Sequence, residues 1–180
     1  MGPGTRILVS GASSGLGSTT ALLAKHLGAT VVVTSRDEGK RARLRELGLD
    51  HVLDPQSSAY AEEVLAAFDG AQAEVIVDNL GVDNQWSTNL ELLGPGGAVV
   101  SSGSLQGESV PVDLRQLYLK SQRIIGVRSG NLAALDRVWS EVRKGFRVAP
   151  DRLFALENIA DAHAHIESEK NAGRVVVAIS

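Results

Sequence analysis

Residues 6–25, Arg-Ile-Leu-Val-Ser-Gly-Ala-Ser-Ser-Gly-Leu-Gly-Ser-Thr-Thr-Ala-Leu-Leu-Ala-Lys, decide how this chain folds. A short apolar, β-branched run enters a glycine-rich turn, and the turn opens a helical pattern. Gly11, Gly15 and Gly17 lack a Cβ, which lets the turn be tight, the backbone approach a diphosphate and the helix pack close on the strand. The free N–H groups of the first helical turn, with the helix dipole behind them, then face an anion.

Further short runs of the same kind follow: 30–34, 51–53, 74–78, 98–102 and 123–127 all read as strands. Their apolar residues are nearly continuous, the pattern of strands buried on both faces of a parallel sheet. Between them, 19–27, 39–47, 59–68 and 86–93 carry apolar positions at helical spacing, with Gly28, Gly48, Gly70 and Gly94 as stops. The alternation predicts an α/β Rossmann fold, a doubly wound six-stranded parallel sheet in the order 3-2-1-4-5-6. After Gly130 the pattern changes to a helix over 132–144, a loop through Pro150, a helix over 159–167 and a terminal strand over 174–179 with no place in that sheet. We therefore expect one dinucleotide-binding domain over 1–180, with a core at 5–130 and a C-terminal extension at 131–180.

A chain of 180 residues buries a core large enough to need no staple, and its lack of cysteine excludes thiolate metal sites, disulfides and a cysteine nucleophile. The formal net charge of −3 and the 4% aromatic content argue against a nucleic-acid surface. No apolar run is long enough to span a bilayer and no secretory leader is visible, so a cytoplasmic protein is expected.

The second strand ends at Ser35-Arg36, where the adenosine ribose of a dinucleotide lies. An acid there accepts from the ribose 2′-OH, whereas a small hydroxyl followed by arginine suits a 2′-phosphate, so Ser35 and Arg36 favour NADP(H). Lys40 adds a second cation on the next helical turn. The competing reading makes Arg36, Lys40, Arg41 and Arg43 a solvated face interleaved with Glu38 and Glu46. Asp37 lies close to the spacing of a ribose-binding acid but falls past the strand end. For the diphosphate the candidates are Ser14, Gly15, Leu16 and Gly17. Ligands collect at the carboxyl ends of the strands, which brings in 78–81, 101–104 and 126–129, with Asn79, Gly81, Ser102 and Gly103 as candidates for the nicotinamide half.

Taken together, these segments resemble the cofactor domain of the medium-chain dehydrogenase/reductase superfamily, in its zinc-independent quinone oxidoreductase and enoyl reductase branch. The resemblance rests on Ala12-Ser-Ser-Gly-Leu-Gly17, Ala24-Lys-His-Leu-Gly-Ala29, Lys40 with Leu47-Gly48, Val77-Asp-Asn-Leu-Gly81, Leu93-Gly-Pro-Gly-Gly97, Leu156-Glu-Asn-Ile-Ala-Asp-Ala-His163 and Gly173-Arg-Val-Val-Val177. It implies NADPH-dependent hydride transfer to a quinone, enone or enoyl group without metal, a homodimer joined through the sixth strand, and Asn171 near the nicotinamide. It also implies a catalytic domain ahead of Arg6 that forms the other wall of the substrate cleft. The chain is accordingly expected to be a part of a longer reductase or one half of a split gene, inactive alone. The alternative is a non-catalytic NADPH-binding or dimerisation module.

The loop also looks like that of short-chain dehydrogenases, but no Tyr-x-x-x-Lys pair supplies their proton: Tyr60 is followed by Val64 and Tyr118 by Gln122. His163 and His165 sit two apart on a helix and diverge, so no metal site is expected there. No side chain stands out as a catalytic residue. Trp86 and Trp139 are expected in the core or at an interface.

Overall fold

A computed structural model describes every residue except Glu108, Ser129, Asn131, Ala149 and Ser180. β1 (Arg6–Val9) lies at the centre of a parallel sheet, with β2 (Thr30–Thr34) on one side and β4 (Ala73–Val77) on the other. β3 (His51–Leu53) extends the first side, and β5 (Leu93–Ser101) and β6 (Arg123–Gly126) the second, so the order is 3-2-1-4-5-6 as expected. Successive strand residues face opposite ways. Ile7 and Val9 join Val31, Val33 and Leu44 beneath α1 (Gly15–His26) and α2 (Glu38–Glu46). Leu8 joins Val32, Val64, Ile76 and Trp86 beneath α3 (Tyr60–Ala67) and α4 (Asp83–Leu92). Full burial on both faces, worth roughly 1.5–3 kcal/mol for each large apolar side chain, explains the unbroken apolar runs.

Several boundaries differ from the sequence reading. α1 begins at Gly15 rather than Thr19, because Ser14 caps it: its Oγ accepts from the Gly17 N–H at 3.0 Å. α4 begins at Asp83 rather than Trp86. β5 starts at Leu93, not Ala98, since residues 94–97 stay in the sheet through a register shift in which Ala73 faces Leu93 and Val75 faces Ala98. A helix absent from the sequence reading, α5 (Leu114–Leu119), is capped by Asp113, whose Oδ1 accepts from the Arg115 and Gln116 N–H groups at 2.8 and 3.1 Å.

α6 (Leu132–Arg143) and α7 (Ile159–Glu167) fall where expected. Between Pro150 and α7, where the sequence reading assigned no element, lies β7 (Arg152–Ala155), which pairs in parallel with the terminal strand β8 (Val175–Ala178) in a separate two-stranded sheet. α6 is tethered to α1 through His26, whose Nε2 lies 3.3 Å from Glu141 and whose ring meets Phe146. Its outer face is open: Trp139 is 53% exposed and not in the core, while Trp86 is buried as expected.

Candidate dinucleotide site

The glycine loop is held from below by the strands it leaves. Ala12 donates its N–H to the Thr34 carbonyl at 3.0 Å, and Gly11 to Thr34 Oγ1 at 3.3 Å. Gly11 has φ +64°, a conformation that favours glycine. The other two loop glycines differ in what surrounds them. A Cβ on Gly17 would lie 2.7 Å from the Gly11 oxygen and 2.8 Å from Ala12 Cα, so Gly17 is required by the loop's own packing. A Cβ on Gly15 would meet nothing nearer than Arg174 at 3.6 Å, so this position keeps the loop surface low beneath Arg174. Leu16 is half exposed.

A cleft of about 370 Å³ runs from this loop to the end of β2. Ser14, Ser35, Arg36, Lys40 and Asn171 all line it. A second hollow of about 310 Å³ shares Arg36, Pro55, Gln85 and Gln106 with the first and ends against Tyr60. Of the five cations at the start of α2, Arg41, Arg43 and Arg45 are tied to Glu38, Glu46 or Asp54. Arg45 and then Arg41 hold the Glu38 carboxyl below the usual carboxylate range. Arg36 and Lys40 have no ion pair among the described residues, and both face the cleft. The solvated-face reading thus applies to Arg43 and Arg45, whereas the Arg41 side chain is largely buried against the β2–α2 corner and Arg36 and Lys40 face the cleft.

Asp37 settles into a structural role: it is the N-cap of α2, with Oδ1 accepting from the Lys40 N–H at 2.8 Å. At the end of β2 the cleft is therefore lined by two cations, a buried serine and Asp37, whose Oδ1 the helix engages; Glu169 lines it as well.

The C-terminal extension crosses the loop. Gly173 donates its N–H to the Ser13 carbonyl at 2.8 Å and bridges Ser14 in parallel register. Asn171 Nδ2 donates to the Gly173 carbonyl at 3.1 Å. His165 Nε2 and Asp151 Oδ2, 2.9 Å apart, lie behind this crossing, where the Asp151 N–H also donates to the Arg174 carbonyl at 2.8 Å. The crossing brings Arg174, with its guanidinium free of ion pairs among the described residues, directly over Gly15. Sequence reasoning missed Arg174 as a site residue. A basic residue close after the nominated Asn171 was its only signal.

Of the nicotinamide candidates, Asn171 lines the cleft, whereas Asn79, Gly81, Ser102 and Gly103 lie at a neighbouring corner. Asn79 Oδ1 accepts from the Ser102 N–H at 2.7 Å and from its Oγ at 3.0 Å. Gly103 follows, exposed, and Gly81 backs onto the Gly107 carbonyl, its own N–H taken by Asp78 Oδ1 at 3.0 Å. Of the segment at the end of β6, Ser129 lies outside the described residues. Beneath this corner a buried polar chain links the strands: Tyr60 Oη donates to Asn89 Oδ1, and Asn89 Nδ2 to Ser10 Oγ, each at 2.9 Å. Burial first, and the Asp78 charge second, push the Tyr60 hydroxyl above its ordinary range. Among the described residues no three His, Asp or Glu side chains converge on a point that would hold a metal ion.

A twisted parallel sheet with a capped glycine loop at the strand-order reversal between β1 and β4 places the protein in the Rossmann class of nucleotide-binding domains. The family follows from comparison: the chain belongs to the zinc-binding dehydrogenases, whose family model matches residues 15–144, and so to the medium-chain dehydrogenase/reductase superfamily.

Among its relatives, a phenolphthiocerol/phthiocerol polyketide synthase component of Mycobacterium tuberculosis is 28% identical over 99% of this chain and 9% of its own length. A quinone oxidoreductase of Pseudomonas aeruginosa is 28% identical over 97% of this chain and 56% of its own. The crystal structure of a thermostable alcohol dehydrogenase from Pyrobaculum aerophilum, with cobalt and zinc bound, superposes with a TM-score of 0.76 at 29% identity, covering 99% of this chain and 52% of that one. The chain thus spans about half the length of the quinone oxidoreductase and a small part of the synthase.

Proposed function

We propose that this chain holds NADPH and presents its nicotinamide for hydride transfer to a quinone, enone or enoyl group, without zinc. The observation that carries the reading is the pair of cleft-facing cations Arg36 and Lys40, without an ion pair among the described residues, with Asp37 Oδ1 engaged in the α2 cap. A 2′-phosphate satisfies both cations, whereas the acid at this corner, Asp37, already has one carboxylate oxygen engaged by its helix. The low loop surface at Gly15, the N–H groups at the start of α1 and the overhanging Arg174 fit a diphosphate between them. Bound NADPH supplies the hydride. The residues of this chain hold its phosphates, and Asn79, Gly81, Ser102, Gly103 and Asn171 position the nicotinamide end. Similarity to a quinone oxidoreductase supports the substrate class. The walls that enclose the substrate come from the part of such relatives that this chain does not span. Titrating NADPH and NADH with the protein and following nicotinamide fluorescence tests the reading: NADPH binds more tightly, and equal affinities overturn it.

A second reading, a binding or dimerisation module without its own catalysis, is favoured by the open flank of the molecule. β6 ends the sheet with Ile124 and Ile125 exposed, the edge at which a homodimer would join. Hydride transfer from NADPH to a quinone or enone by this chain alone excludes that reading.

A further inference from the structure

We propose that Arg41 is a positioning residue that sets the preference for NADPH over NADH, acting through Arg36 and not by touching the phosphate; the inference rests on the 2′-phosphate reading above. The Arg41 side chain is only 11% exposed, and its nitrogens are all committed. Nε and Nη2 donate to Glu38 Oε2 at 2.9 and 2.6 Å. Nη1 donates to the Ser35 carbonyl at 2.7 Å and the Arg36 carbonyl at 2.9 Å, and lies 3.1 Å from Asp54 Oδ2.

Those two carbonyls bracket the Cα of Arg36. Gripping both fixes the peptide planes on either side of that residue and with them the direction in which its side chain leaves the corner. The same guanidinium reaches across to the opposite wall. Asp54 Oδ1 accepts the Gln56 N–H at 2.9 Å, shaping the turn whose Pro55 lines both hollows. One buried fork therefore holds the β2–α2 corner and the turn after β3 in a fixed relation. A planar five-donor group does this where a single ammonium does not. Arg43 and Arg45, on the same helix, contact neither carbonyl.

The test is a fluorescence titration of the full chain with NADPH and NADH, using the wild type, Arg36→Ala, Arg41→Met, the double variant and Asp54→Asn, with a thermal melt for each. Arg41→Met is expected to weaken NADPH roughly tenfold, as for loss of a charge-assisted bond, while NADH changes less than about twofold. In the Arg36→Ala background it adds no further loss, because the two residues act through one contact. Asp54→Asn, which keeps the Glu38 pair and disturbs the fold less, shifts the preference the same way by a smaller factor and decides the matter if Arg41→Met fails to fold.

Equal losses for both nucleotides, or additive losses in the double variant, overturn the inference. If Arg36→Ala abolishes the preference while Arg41→Met and Asp54→Asn retain it, the positioning role alone fails. If Arg36→Ala leaves the preference intact, the 2′-phosphate reading fails and this inference with it.

Discussion

Asp37 Oδ1 accepts the backbone N–H of Lys40 at 2.8 Å, so the acid nearest to the ribose-binding spacing serves its own helix. Capping separates the two roles experimentally. Asp37→Asn retains an acceptor and should leave both the melting temperature and the preference for NADPH unchanged. Asp37→Ala should cost about 1 kcal/mol of stability, read from a denaturant titration. Neither variant should lose NADH affinity selectively; such a loss would return Asp37 to the ribose.

Arg36 is exposed, lines the cleft and has no ion pair among the described residues, so its removal should be felt by the ligand and not by the fold. Arg36→Ala should weaken NADPH by roughly tenfold or more, the worth of a hydrogen bond to a charged group, and NADH hardly at all. The loss should shrink as salt is raised, since the contact lies at the surface.

Gly15 and Gly17 differ in what an added methyl group would meet, and the two alanine variants should differ accordingly. Gly17→Ala drives a Cβ to 2.7 Å from a backbone oxygen, which forces the loop to move and should cost about 1–3 kcal/mol in thermal or denaturant unfolding. Gly15→Ala has ordinary contacts at 3.6 Å and should fold normally, yet weaken NADPH and NADH alike by raising the loop surface toward the diphosphate. Calorimetry and nucleotide titration on the same samples separate the two effects.

Tyr60 ties the smaller hollow to the core through Asn89, and its buried hydroxyl resists ionisation. Its folded pKa lies above the ordinary value of 10.0, so the folded state favours the neutral form. That contribution is intact below pH 10.0 and is lost as pH rises beyond it, at up to about 1.4 kcal/mol per pH unit. Tyr60→Phe should blunt the alkaline loss while costing about 1–3 kcal/mol at neutral pH, because Asn89 loses a donor.

The sheet order was readable because β1 and β2 are buried on both faces and β4 and β5 keep apolar runs in Val75–Val77 and Ala98–Val100, which removes the polar alternation that makes strands ambiguous. Boundaries set by single hydrogen bonds were harder. Gly15 and Gly17 look like a turn until the Ser14 cap is seen, and residues 94–97 look like a loop until their register with β4 is known. β7 escaped because four residues carry little periodic signal and its partner β8 lies beyond a whole helix. Of the candidate site, the shared cleft position of Ser35, Arg36 and Lys40 was legible from their place after β2. Arg174 was not, because its position over Gly15 depends on a parallel bridge between segments that the whole sheet separates in sequence.

That bridge has a consequence for how the molecule comes into being. The glycine loop leaves the ribosome before any of β2 to β6, while Gly173 and Arg174 follow all of them. Contacts between residues so remote in sequence close a long entropic loop and form late. A nascent polypeptide therefore owns its glycine loop well before it owns the arginine that overhangs it, and on the proposed reading tight retention of a nucleotide awaits the emergence of that crossing.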